Sequence, residues 1–132
     1  MSQALKQWHQ IMESGDTTAL NDLLAEDVVF HSPVVHTPQE GKAITFAYLS
    51  AANKVLGNDS FQYVRKIIGE RDAMLEFTLE LEGIHVNGVD IIRWNDDDKI
   101  VDFKVMVRPL KAINQVHMEM GKMLEAMQNG KA

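Results

Sequence analysis

The sequence predicts an α+β domain: a curved antiparallel sheet with helices packed on one face. Three observations carry that expectation. Apolar residues recur at helical spacing in the first half and again after Pro109, and from Phe61 to Arg108 they alternate with polar ones in steps of two. Between two of the alternating runs, "WNDDDK" supplies a polar hairpin.

Taken in order, Leu5, Trp8, Ile11 and Met12 mark a helix over residues 3–13. Gly15 suits its C-terminal cap, and Asp16 or Thr17 suits the N-cap of a second, short helix carrying Leu20, Leu23 and Leu24. "DVVFHSP" predicts a strand stopped by Pro33, "HTPQEGK" a loop, and "KAITFAYLSAANKVL" a helix ended by "GND". Further on, Leu75, Phe77, Leu79 and Leu81 alternate with Glu76, Thr78, Glu80 and Glu82, the pattern of a strand with one wet face. Strands over 84–95 and 99–108 follow, and in the second of them Phe103, Val105 and Val107 oppose Asp102, Lys104, Met106 and Arg108. Pro109 stops that strand. Residues 110–128 return to helical spacing with Ile113, Val116, Met120, Met123, Leu124 and Met127.

Composition narrows the function. With 132 residues and 45% hydrophobic content, the chain is expected to form one domain over 1–132 with a real core. A net charge of −6 with scattered Lys and Arg argues against nucleic acid and against an anionic membrane as partners. The sequence has no cysteine, hence no disulfide, thiolate nucleophile or thiolate metal site. The N-terminal stretch lacks the apolar run of a signal peptide and no apolar stretch approaches 18 residues, so a soluble cytoplasmic protein is expected. There is no HExxH, clustered-carboxylate or calcium-loop pattern and no GxGxxG, P-loop or GxSxG. No metal and no cofactor is assigned.

One acid stands out. Ile84, Val86, Gly88, Asp90, Ile92 and Trp94 share a strand face, and apart from Asp90 that face is apolar. A carboxylate placed there loses hydration, which disfavours its charged form, and acids tuned this way serve in active sites. The alternative is a structural acid satisfied by a backbone amide or by Arg93, although alternation puts Arg93 on the opposite face. His31 and His36 flank "SPVV" where the first strand ends, and either could act as a base near neutrality. If Ser32 faces the interior, His31 points away from it. His85 falls on the polar face, while His9 and His117 lie on helices; none of the three is assigned to catalysis. Met118, Met120, Met123 and Met127 on the last helix suit core or subunit packing, or a pliable lid. Tyr48 and Tyr63 could line a pocket or bury their rings with the hydroxyls wet.

"GDTTALNDLLAEDVVFHSPV", then "GKAI", and later "VDIIRWNDDDKIVDFKVMVRPL" resemble the SnoaL-like branch of the NTF2-like superfamily over nearly the whole chain. The resemblance implies a cone-shaped sheet with helices on its concave face, closing around a deep pocket. That superfamily hosts isomerases, cyclases, epoxide hydrolases, dehydratases and non-catalytic binders. Asp90 matches the position at which ketosteroid isomerases carry a protonated Asp that donates to a developing oxyanion. Their general base, an Asp before a Pro on the first strand, is matched by Ser32 before Pro33, and their oxyanion-hole Tyr by Trp8. Steroid isomerisation by that mechanism is therefore not expected. An epoxide-hydrolase triad is not expected either, because Asp90 and Arg93 diverge along one strand and Asp102 and Arg108 lie opposite Phe103 and Val105; only a bulge would change that.

Two functional classes remain. The first is a small acid–base enzyme, an isomerase, cyclase or dehydratase, acting on an apolar carbonyl-bearing ligand. Asp90 would be its acid or donor, with Ser32, His36 or Tyr63 orienting the substrate. Trp8, Phe30, Tyr48, Tyr63, Leu75, Phe77, Ile92, Trp94, Phe103 and Val105 are expected to line the pocket. The second is a non-catalytic ligand-binding or dimerisation module. In either case the outer sheet face, with His85, Val89, Ile91, Met106 and Arg108, is expected to pair two copies into a homodimer.

Overall fold

Helix α1 (Gln3–Ser14) begins where the Ser2 side chain accepts a hydrogen bond from the Leu5 amide. It ends where Gly15 takes a left-handed φ of 72°, a conformation glycine adopts without steric cost, and donates to Ile11. Asp16 then caps a 3₁₀ turn (Thr17–Ala19) that runs into the four-residue α2 (Leu20–Leu23). These features belong to a computed structural model that describes residues 2–129. The remaining elements are β1 (Leu24–His31), β2 (Gln39–Glu40), α3 (Lys42–Leu56), β3 (Gln62–Ile68), β4 (Asp72–Leu81), β5 (Ile84–Trp94), β6 (Ile100–Arg108) and α4 (Leu110–Gln128).

The strands form one curved sheet in the order β2-β1-β6-β5-β4-β3. It is α+β as expected, but not wholly antiparallel: β1 runs parallel to β6, pairing Phe30 with Phe103 and His31 with Lys104. Parallel neighbours need a long crossover, and here most of the chain, from α3 through β5, lies between the two strands. β1 also starts at Leu24, earlier than Asp27, and the expected loop "HTPQEGK" contains β2, which pairs with β1 through Val29↔Glu40 and Phe30↔Gln39. The sheet remains open, with β2 and β3 as its edges.

Burial follows the two-residue period. Ala73, Leu75, Phe77, Leu79 and Leu81 of β4 are buried, as are Val86, Ile92 and Trp94 of β5 and Ile100, Phe103 and Val105 of β6. The helices cover this inner face with Leu5, Trp8 and Ile11 from α1, Leu49 and Val55 from α3, and Ala112 and Val116 from α4. Among the described residues no helix is long and apolar enough to cross a membrane.

One close approach sets the inner face. Gly88 pairs with Phe77 on one side and Val107 on the other, and a Cβ there would fall 2.5 Å from Phe77 Cζ and 2.7 Å from the Met106 carbonyl oxygen. The ring can turn aside, but the backbone oxygen cannot. Gly88→Ala is therefore expected to destabilise the protein by about 1–3 kcal/mol, the usual cost of overpacking. A lower urea midpoint at unchanged slope would show it; an unchanged midpoint would mean that β5 and β6 can separate freely at this point.

Candidate functional site

A largely apolar cavity of about 150 Å³ lies between the inner sheet face and the helices. Asp90, 6% exposed, stands in its wall among Trp8, Phe30, Phe77, Phe103 and Val105. The strand alternation that makes this carboxyl look misplaced in the sequence is what carries it inward.

Its partner comes from another strand. The Tyr63 hydroxyl donates to Asp90 Oδ2 at 2.7 Å, and in turn accepts from Trp8 Nε1 at 3.0 Å. An indole N–H can only donate, so the relay has one direction, from Trp8 through Tyr63 to Asp90. Tyr63 must spend its proton on Oδ2, leaving Oδ1 as the oxygen that carries Asp90's own proton when the acid is neutral. Among the described residues Oδ1 has no protein partner, so it is available to a ligand in the cavity.

Burial pushes the Asp90 carboxyl up to about 7, against a smaller opposing effect of the Tyr63 hydrogen bond. Burial first, and then the Asp90 charge, holds the Tyr63 phenol well above its usual range. The structure thus keeps a tyrosine O–H and, below about 7, a carboxylic O–H at one point of an apolar wall. Behind them, His9 packs edge-on to Tyr63 with ring centroids 5.6 Å apart, and its buried Nε2 has no partner. Burial, and next the Lys66 charge, lowers the His9 pKa.

The sequence-predicted residues divide clearly. Trp8, Phe30, Ser32, Tyr48, Phe77, Asp90, Phe103 and Val105 all line the cavity. Tyr63 lies just behind the lining and acts through Asp90. Leu75, Ile92 and Trp94 are buried in the core without lining the cavity, since the helices close over their part of the sheet. His36 is exposed and outside the lining, because the chain leaves the sheet after Pro33. Ser32 does line it, yet its oxygen accepts from the amides of Val34 at 3.0 Å and Val35 at 3.3 Å, pinning the loop. His31 turns to the outer face, as alternation required, and meets Asp102 at 2.9 Å. Arg93 grips Asp72 through Nε at 2.8 Å and Nη2 at 3.2 Å. The register shift between Arg93 and Trp94 does not bring that arginine inward.

Of the α4 residues that reach the cavity, Met120 was among the methionines considered for a lid, whereas His117 was left on its helix without a role and Gly121 was not considered. A signal was present. His117 lies four residues after Ile113 and three before Met120, at the spacing of one helix face. Among the described residues, no group of three acidic, histidine or cysteine side chains is placed to hold a metal ion.

Comparison with known proteins places these features in context. Residues 5–103 match the SnoaL-like domain family model. Among solved structures, a steroid delta-isomerase from Pseudomonas aeruginosa is 34% identical, with 96% of this chain and 92% of that chain covered and a TM-score of 0.90. An uncharacterized protein with a cystatin-like fold from Silicibacter pomeroyi DSS-3 is 29% identical over 92% of this chain and 85% of that one, with a TM-score of 0.84. The epoxide hydrolase/cyclase-like enzyme SalBIII, of polyether salinomycin pyran-ring formation, shares the fold at 16% identity, 80% and 88% coverage and a TM-score of 0.64. A search of curated proteins finds no match.

The ionisation of Asp90 has a measurable consequence. The folded chain holds this proton up to about 7, whereas the unfolded chain releases it near the ordinary 3.8. Between those values the unfolded state binds fewer protons, so Asp90 makes stability fall as pH rises through the window, by an amount on the order of a few kcal/mol. Asp90→Asn cannot ionise and is expected to lack this component. Urea midpoints of both proteins from pH 4 to 8 would converge or diverge accordingly; a difference constant in pH would show that Asp90 is ionised in the fold throughout.

Proposed function

The chain belongs to the SnoaL-like domain family, and on that premise we propose that it binds a small apolar carbonyl compound and catalyses proton transfer on it, as an isomerase, cyclase or dehydratase. The observation that carries this reading is the one-way relay from Trp8 through Tyr63 to Asp90 at the wall of an apolar cavity. A ligand carbonyl oxygen would accept from the Asp90 O–H. When a proton leaves the carbon beside the carbonyl, negative charge gathers on that oxygen. A donor already fixed in a dry site stabilises the charge without having to reorganise. Tyr63 and Trp8 hold the donor in place, and the Ser32 hydroxyl proton is free to orient the ligand. The similarity to a protein described as a steroid delta-isomerase supports this chemistry in kind; a cavity of this size favours compounds smaller than a steroid.

A non-catalytic binding module is the second reading. It is favoured by Ser32, whose oxygen is occupied by two amides at the position where ketosteroid isomerases carry their general base. The first reading requires a ligand oxygen on Asp90. We therefore expect native mass spectrometry of the purified chain to reveal a small carbonyl or phenolic compound, and expect 2-naphthol, whose oxygen imitates an enolate, to bind. Asp90→Ala should weaken naphthol about 10- to 100-fold, the worth of one hydrogen bond to a charged group. Equal affinity in the two proteins would remove Asp90 from the site.

The reading extends to a two-fold homodimer through the outer sheet face. There Val89 pairs with Met106, which is 51% exposed, and Ile91 lies between Met74 and Lys104. Around them Arg93 is held by Asp72, Asp102 meets His31, and Arg108 donates to Asn87 at 3.3 Å, which gives an ordered polar rim. Ile91→Asp would set two poorly hydrated carboxylates near the axis at a cost of several kcal/mol. Light scattering should then report a dimer for the wild type and a monomer near 14.9 kDa for the variant; a dimeric variant would show that copies pair elsewhere.

A further inference from the structure

Three kinds of proton-exchanging side chain line the cavity: Asp90, Tyr48 and His117. In the reading above the first is the donor to the ligand oxygen, and the Tyr48 ring is stacked on Phe30 at 5.5 Å. Ser32 is no base, because its oxygen accepts from two amides. The other histidines lie elsewhere: His31 with Asp102, His36 in water outside the lining, His85 beside Glu80 on the outer face, and His9 behind Tyr63. Imidazole is the side chain whose unperturbed ionisation falls nearest neutral pH.

His117 is the histidine that reaches the cavity. Val116, buried at 3% exposure, anchors α4 against the core, and His117, Met120 and Gly121 follow as one stripe along the cavity edge. Asp90 is enclosed while His117 is exposed, so the cavity runs from a closed end at the strands to an open end at this helix. At Gly121 an added Cβ would meet nothing within 4 Å, which marks open space beside the histidine. Among the described residues His117 has no ion pair and no side-chain hydrogen bond. Its ring nitrogens are free for a ligand, and its contact with water lets it return a proton after each cycle.

We propose that His117 is the general base of this site, and that the ligand is a carbonyl compound presenting an acidic C–H toward the mouth while its oxygen rests on Asp90. The proposal rests on the carbonyl-binding reading above. In the step, an imidazole nitrogen takes the proton, the C–H electron pair moves into the carbonyl, and the resulting enolate oxygen is held by the Asp90 O–H. Return of the proton to the same carbon gives exchange, and return to a conjugated carbon gives isomerisation. No oxidant or reductant is needed.

The test uses the full chain and two probes. Adding 2-naphthol should shift the ring NMR signals of His117 and leave those of His36 and His85 in place. In deuterated water the wild type should incorporate deuterium beside the carbonyl of cyclohex-3-en-1-one, and His117→Gln should slow this about 100-fold, the low end for loss of a general base. Naphthol that binds without moving the His117 signals overturns the assignment while the carbonyl reading stands. A His117→Gln protein that exchanges at the wild-type rate does the same. If naphthol fails to bind the wild type at all, the carbonyl reading falls and takes His117 with it.

Discussion

A carboxyl group removed from water must either find compensation or keep its proton, and this protein arranges both around Asp90. Trp8, on the first helix, can only donate, and that fixes which way the Tyr63 hydroxyl points and which oxygen of Asp90 is left for the cavity. The arrangement joins α1, β3 and β5, three elements far apart in sequence. A donor-only group at the far end of a chain of hydrogen bonds does more than satisfy a neighbour, for it sets the polarity of every link after it. Replacing the indole by a hydroxyl, which can turn either way, would restore the ambiguity that Trp8 removes.

The rest of the inner face makes this relay possible. Asp90 lies between Leu75 and Val105 on the neighbouring strands, so its hydration is stripped from both sides. Two residues earlier Gly88 gives up its side chain, and the Phe77 ring occupies the space. Phe61 stacks on that ring at 5.3 Å and meets Tyr63 edge-on at 5.1 Å. Close packing of this kind limits where the Tyr63 hydroxyl can go. The phenol is thus aimed by aromatic neighbours and then held by its two hydrogen bonds.

Much of this was legible in the sequence, and the reason differs from residue to residue. Asp90 could be found because strand alternation is a local rule, and one acid among five inward-facing partners breaks it visibly. The α3 boundaries could be found because glycine stands at both ends of the apolar run. Tyr63 could be suspected but not joined to Asp90, since the link depends on how β3 registers against β4, and that register shifts between Tyr63 and Arg65. The parallel pairing of β1 with β6 had no local signal at all, because nothing in an eight-residue strand states which distant strand will lie beside it. Ile92 and Trp94 show the limit of alternation: it assigns a face of the sheet, but whether that part of the face meets a void or a helix depends on tertiary packing.

The two ends of the cavity are built from different materials, and this bears on how such a fold changes its chemistry. Its closed end is made by paired strands, where moving one side chain disturbs the neighbours on both sides, as Gly88 illustrates. Its open end is made by α4 and by the loop that Ser32 pins, where side chains project from one helix face into free space. A donor for a ligand oxygen belongs at the closed end, because its value depends on fixed geometry and a dry surrounding. A group that must exchange protons with solvent belongs at the open end, where water can reach it. On this division the helix rim meets the cavity on the side where water reaches it, while the Ser32 oxygen stays bound to two amides of its own loop.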